Sequence, residues 1–186
     1  QSSMAIFARR GDIIVKRGNN SIGDIDLAGG SEGYDEIFEM NIGQGRFFTG
    51  DEIEAGRNVA VLGYEVAQTL FPNNQDPIGG EVKIRNLKYR VVGVVEREGQ
   101  SFLGTPSNDY TVIVPYQSFR KLFLTGTGRR WEISSRIGVK GREYDIGLVE
   151  LENEIRGLLR VRRGLTPKAP DNFALNRPEA LLNVIG

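Results

Sequence analysis

The residues able to do chemistry in this chain are few, and their spacing narrows them further. Its 186 residues contain no histidine and no cysteine. Imidazole bases, His-type zinc sites, thiol nucleophiles, thiolate metal sites and disulfides are therefore excluded. Carboxylate, lysine or serine–lysine chemistry is what is left. The densest carboxylates, Asp51, Glu52 and Glu54, follow a G-R-F-F-T block and read as a solvated turn, not as an acid/base pair. Asp24 and Asp26 supply half of an alternating D-x-D pattern, without the regular continuation and closing glutamate of a calcium loop. Gly29, Gly30, Gly43, Gly45, Gly79 and Gly80 invite a phosphate-loop reading. No G-x-x-x-x-G-K-[ST] occurs, however, and no G-x-G-x-x-G opens a helix behind a strand. They are read as turn glycines. No catalytic residue, metal ligand or cofactor is assigned.

The positioning elements follow from hydrophobic spacing. The apolar run at 58–62 is strand-like, and Val66, Ala67, Leu70 and Phe71 then recur at helical spacing until Pro72 stops the helix. Pro77 with Gly79-Gly80 is turn chemistry, and 82–84 and 89–95 read as two strands around a turn at Asn86-Leu87. Upstream, 12–17 is a strand pairing with a second short strand at Ile25 and Leu27, and 34–40 is one or two helical turns. Residues 1–11 carry no start signal. Downstream, 111–114 reads as a buried strand, and Pro115 opens a helix with Phe119, Leu122 and Phe123 on its apolar stripe. Residues 131–140 alternate cleanly as a strand, with Trp131 on the face of Ile133 and Val139. Trp131 reads as a core anchor, with a ligand-stacking platform as the alternative. The longest helix is expected over 146–163, acidic in its first half and basic in its last, with Gly164 as its C-cap. Phe173 and Leu175 suggest a further strand, and Pro178 starts a last amphipathic turn.

Length allows one or two domains, at about 150 residues each, and a real core. Lysine plus arginine number 24 and aspartate plus glutamate 24, so no global field argues for nucleic acid or an anionic membrane. No uninterrupted apolar run approaches the ~18–20 residues that cross a bilayer, and the N-terminus has no secretory pattern.

The order of motifs resembles the periplasmic core domain of MacB-type and FtsX-like ABC-transporter permeases. The matching blocks are G-R-F-F-T (Gly45 to Thr49), V-A-V-L-G (Val59 to Gly63), Ala67 with Leu70-Phe71, D-P-I-G (Asp76 to Gly79), Tyr89 with V-V-G-V (Val91 to Val94), and V-I-V-P (Val112 to Pro115). None of them is catalytic. The resemblance implies an α+β, two-lobed extracytoplasmic domain. A βαβ-containing Porter-like lobe would come from both chain ends (1–44 and 131–186), with a mostly-β Sabre-like lobe (45–130) inserted in it. The family's helix entering from the membrane has no counterpart in 1–11. The implied partners are the transmembrane helices of its own permease chain, a cytoplasmic ATPase subunit or domain, a periplasmic adaptor and a second permease in a dimer. The implied location is the periplasmic side of the inner membrane, and the implied role is passing ATP-driven motion to an exported substrate or a periplasmic partner.

Two sets of residues are candidates for that role. The loop at 96–109 is long for a compact domain. Phe102 and Leu103 in its middle either fold back as a lid on the core or form a partner-facing apolar tip. Gly43, Gly45 and Gly128 are candidate hinges, because glycine permits backbone rotation. Arg156, Arg160, Arg162 and Arg163 complement the helix dipole, or else dock near an anionic membrane surface. A free-standing periplasmic peptide- or lipid-binding module and a carboxylate- or Ser–Lys-based enzyme are the competing classes. An enzyme would bring such groups together in one cleft. Because no phosphate-cradling motif is present, the purified chain is expected neither to bind nor to hydrolyse ATP, with or without magnesium. Calorimetry and a phosphate-release assay check this, and turnover abolished by a point change within the chain overturns it.

Overall fold

A computed structural model describes residues 3–99, 107–124, 136–140, 148–166 and 169–175. These contain β1 (Ser3–Arg17), β2 (Asn20–Gly30), α1 (Tyr34–Ile37), β3 (Ile42–Gly45), α2 (Gly50–Glu54), β4 (Val59–Leu62), α3 (Tyr64–Leu70), β5 (Glu81–Ile84), β6 (Leu87–Val95), β7 (Thr111–Pro115), α4 (Tyr116–Leu124), β8 (Arg136–Lys140) and α5 (Leu148–Arg162). The fold is α+β, as expected. The chain divides into two compact units, 3–140 and 141–186 with residues 1–2.

In the first unit the strand pairings close on themselves. β1 and β2 form a long antiparallel hairpin around the left-handed Gly18 (φ 55°), with Arg17 opposite Asn20 and Phe7 opposite Gly30. β2 then pairs in parallel with β7, β7 antiparallel with β4, β4 in parallel with β6, β6 antiparallel with β5, and β5 antiparallel with β1. β3 pairs with the end of β6, and β8 with the start of β1. One face of the ring buries Val15, Leu27, Leu62, Ile84, Tyr89 and Val112 against α3 and α4. The other buries Val59, Val61, Val92 and Ile113 against Tyr34, Met40 and Phe48. β4 and β7 are thus covered on both faces, which is why V-A-V-L and T-V-I-V-P are unbroken apolar runs instead of alternating ones. The buried Tyr89 hydroxyl is satisfied by Ser118 Oγ at 2.9 Å, and Ser118 donates to Asn58 Oδ1 at 3.0 Å.

Several sequence expectations shift. β1 begins at Ser3, not in the region of Asp12, because its first half is paired on both edges: Phe7 to Arg10 with β2, and Ser3 to Phe7 with β8. Gly29 and Gly30 are strand residues of β2, not turns. A Cβ on Gly29 would lie 2.4 Å from Phe119 Cβ, and one on Gly30 2.7 Å from Tyr34 Cγ. The bare strand lets both helical layers approach it. Pro115 ends β7, opposite Gly30, and the helix starts one residue later. The division expected at 44/45 is absent from the first unit: β3 ends at Gly45 and pairs with β6, and residues 3–30 share one sheet with 59–115. β8 joins this unit through β1, whereas α5 falls in the other. Trp131, Ile133 and the turn after Pro178 lie outside the described residues.

In the second unit the basic end of α5 is used internally. Arg156 and Arg160 both bind the Asp171 carboxylate, Arg160 Nη2 donates to the Thr166 carbonyl at 2.7 Å, and Arg163 donates to the Asn172 carbonyl at 2.9 Å. The Arg160 and Arg156 hydrogen bonds hold the Asp171 carboxyl below its ordinary range. The segment 169–175 is tied to the helix end by these bonds and contains no strand, so the strand expected at Phe173 and Leu175 does not form. Gly164 takes the left-handed conformation (φ 63°) expected of a cap.

The G-R-F-F-T-G-D-E block becomes one network. Gly45 (φ 72°) packs so closely on β6 that a Cβ would sit 2.2 Å from the Val92 carbonyl, and a Cβ on Gly93 would sit 2.3 Å from that of Arg46. Arg46 forks onto Glu52, Nη1 to Oε2 at 2.8 Å and Nη2 to Oε1 at 2.9 Å. Glu52 Oε2 also accepts the Thr49 N–H at 3.0 Å, and Thr49 Oγ1 accepts the Glu52 N–H at 3.3 Å. This is a capping box on α2. Glu52 is therefore a structural carboxylate, not a freely solvated one. The Arg46 guanidinium beside it holds its carboxyl down at about 2, against an ordinary 4.5. A depressed carboxyl contributes stability above its unfolded value and loses it as pH falls through the folded one. Arg46 is half exposed, so screening trims the contribution. Glu52→Gln is expected to cost about 1 kcal/mol at neutral pH in urea unfolding. The gap from wild type should close as pH drops from 4.5 towards about 2; a gap independent of pH would leave the ion pair without a role.

Candidate functional site

The loop that carries Phe102 and Leu103 is fastened at its base. Those two residues lie outside the described residues, but both stems are in view. Asp109, only 3% exposed, accepts two backbone N–H groups from the opposite stem, Glu98 N at 3.0 Å and Gly99 N at 2.9 Å. Glu98 reciprocates, taking the Asn108 N–H at 2.9 Å and its Nδ2 at 2.8 Å. Ser107 Oγ accepts the Asp109 N–H at 3.1 Å and starts a single helical turn over Asn108–Tyr110. β4 supports this base from below: Gly63 donates to the Thr111 carbonyl at 2.7 Å, and a Cβ there would stand 2.3 Å from the Asn108 carbonyl oxygen. The final glycine of V-A-V-L-G is thus a seat for the loop. Sequence alone marks S-N-D only as turn formers; the acceptor role of Asp109 depends on a stem brought to it by folding.

Beside β3 lies an open groove of about 850 Å³, bounded by Gln44, Tyr64, Gln68, Asp76 and Arg97. Its carboxylates are Asp76 and Glu96, and neither serine nor lysine lines it. Asp76 is engaged in its own turn, accepting the Ile78 N–H at 2.9 Å, and Arg97 reaches Glu65 at 3.6 Å. This is not a constellation for acyl or glycosyl transfer, and no group of three or more carboxylates able to hold a metal occurs among the described residues. Asp26 is paired instead with Arg9 at 3.0 Å.

Gly43 and Gly45 border this groove within β3. A Cβ on Gly43 would meet Glu96 Cγ at 3.0 Å, just beyond the end of β6, so both glycines lie in close packing there. Gly128 lies outside the described residues.

A family model described as the MacB-like periplasmic core domain matches residues 2–150. The chain belongs to this family. It is 30% identical over 141 residues to the macrolide export ATP-binding/permease protein MacB of Rhodospirillum rubrum, covering 76% of this chain and 20% of that protein. It is 32% identical over 121 residues to the pyoverdine export ATP-binding/permease protein PvdT of Pseudomonas aeruginosa, covering 63% of this chain and 17% of that one. The chain thus spans about a fifth of the length of these relatives. Among solved structures, the periplasmic region of MacB from Actinobacillus actinomycetemcomitans superposes with a TM-score of 0.70 at 23% identity, over 97% of this chain and 74% of that one. The extracellular domain of the transporter YknZ from Gram-positive bacteria gives 0.65 at 20% identity, over 88% and 77%. At those identities the likeness is one of fold.

For this MacB-like domain the clamp at the loop base makes a direct claim on stability. Asp109→Ala leaves two amides without their acceptor and is expected to cost about 1–3 kcal/mol. Amide exchange at Glu98 and Gly99 should accelerate more than in β7. Unchanged exchange at those two positions would show that the clamp is not closed in solution.

Proposed function

We propose that this chain is a non-catalytic extracytoplasmic domain of a MacB-type ABC transporter permease, held on the periplasmic side of the inner membrane. It passes ATP-driven movement of the permease's membrane helices to an exported substrate or to a periplasmic partner. The family match over residues 2–150 carries this reading. Hydrolysis belongs to a cytoplasmic nucleotide-binding domain, fused or separate, and the permease works as a dimer with a periplasmic adaptor. The clamped base agrees: a tip that transmits force must not slide relative to its scaffold, and Asp109 and Glu98 fix both stems.

Phe102 and Leu103 are the contact to test. In the full-length permease, replacing both with serine is expected to lower export about tenfold or more, as loss of an apolar anchor does. ATP binding by the nucleotide-binding domain and folding of the chain, read by circular dichroism, should persist. Undiminished export with both side chains removed would take the partner contact away from this loop.

A further inference from the structure

A row of like charges crosses the outer face of the sheet where β1, β5 and β6 meet. Lys16 of β1 stands directly opposite Lys83 of β5, and Lys83 directly opposite Lys88 of β6. Paired residues share a face, and all three side chains are exposed. Neighbouring strands are about 4.8 Å apart, so the three lysine side chains leave the sheet at that spacing. Like charges directly opposite one another destabilise a sheet. Relief is slight: Lys88 reaches Glu81 at 3.3 Å, while Lys16 and Lys83 have no ion pair or hydrogen bond among the described residues. The Lys88–Glu81 pair is the ion pair that offsets this row.

The row borders a groove of about 820 Å³, lined by Arg10, Lys16, Lys83 and Arg85, by Arg9, whose guanidinium is already paired with Asp26 at 3.0 Å, and by the carboxylate Asp12. Arg85 is held in place: its Nη1 donates to the Leu122 carbonyl at 3.1 Å, and its guanidinium lies 5.1 Å from the centre of the Phe123 ring. Ile14, 55% exposed, gives the same groove an apolar wall, while Phe123 is buried in the core beneath Arg85. Register shifts between Arg10 and Val15 bend β1 here, and Asp12 (φ 58°) and Arg85 (φ 53°) both take left-handed conformations at its margin.

We infer that this groove binds an acidic, extended peptide segment of another protein. Carboxylates at alternate positions of an extended chain fall on one side about 7 Å apart, within reach of successive long lysines. Intervening apolar side chains would meet the exposed Ile14. A flat anionic bilayer fits the site less well, because the cations line a concavity with Asp12 among them. The inference concerns the 3–140 unit alone and stands or falls apart from the permease reading.

The test measures anisotropy of a labelled peptide of about ten residues, with glutamate and valine alternating. It is titrated with the 186-residue chain. A glutamine-for-glutamate peptide and phosphatidylglycerol vesicles form the other arms. The wild-type chain should bind the glutamate peptide, more weakly at high salt, and not the glutamine one. Lys83→Glu should weaken binding at least about tenfold. Its melting temperature should equal or exceed that of wild type, because the new carboxylate lies between two lysines. Binding lost while stability is kept cannot be ascribed to unfolding, and Lys83→Gln repeats the test with a milder change. Equal binding by the Lys83 variants overturns the inference, as does the absence of saturable peptide binding by wild type. Vesicle binding without peptide binding reassigns the surface to a membrane, and self-association abolished by Lys83→Glu reassigns it to a second copy.

Discussion

A strand has two edges, and an edge without partners leaves a row of backbone donors and acceptors unsatisfied. β1 uses both of its edges, and much of the first unit depends on that. One edge is taken by β2; the other is shared between β8 at Ser3 to Phe7 and β5 at Val15 and Lys16. Because β5 leads through β6, β4 and β7 back to β2, the pairing closes, and the strands within the ring must bend. The register shifts in β1 between Arg10 and Val15 supply one such bend, as bulges do. A curved sheet leaves a concave face to fill, and α3 and α4 fill it with Val66, Leu70, Phe119 and Phe123. The glycine pair at the end of β2 allows this, since Gly29 admits the Phe119 side chain on one face and Gly30 admits Tyr34 on the other.

Much of this was legible in the sequence wherever a residue's fate is decided by near neighbours. The runs 58–62 and 111–114 read as strands, the second as a buried one, and the spacing of Val66, Ala67, Leu70 and Phe71 announces α3. Where the decisive partner is distant, local reading failed. The first half of β1 has no simple alternation, and one of its partners, β8, lies at 136–140. Gly29-Gly30 is locally indistinguishable from a turn, and only the crowding by Phe119 and Tyr34 explains it as strand. Glu52 looked like one of three solvated carboxylates; the guanidinium that claims it sits six residues earlier, across a turn. At the candidate site, Phe102 and Leu103 stood out by type, but Asp109 did not, because its ligands are the backbone of the opposite stem.

Charge shows the same limit in another form. A total of 24 cations and 24 carboxylates sums to zero and carries no information about where they lie. Folding sorts them. Glu32, Glu36 and Glu39 cluster at α1, and Asp51 and Glu54 lie on α2, while Lys16, Lys83, Lys88 and Arg90 gather on the outer face of β1, β5 and β6 around the carboxylate Glu81. A neutral chain can therefore present a local excess of one sign, which composition averages away.

The clamp below the long loop has a bearing on how such a domain can diversify. Its four hydrogen bonds between Glu98, Gly99, Asn108 and Asp109 use no atom from residues 100–106. The scaffold is in that sense indifferent to what is strung between the stems. Lengthening a flexible loop costs little, about 0.6 kcal/mol for each doubling. The clamp is a socket: its four bonds between the stems do not depend on which side chains are strung between them.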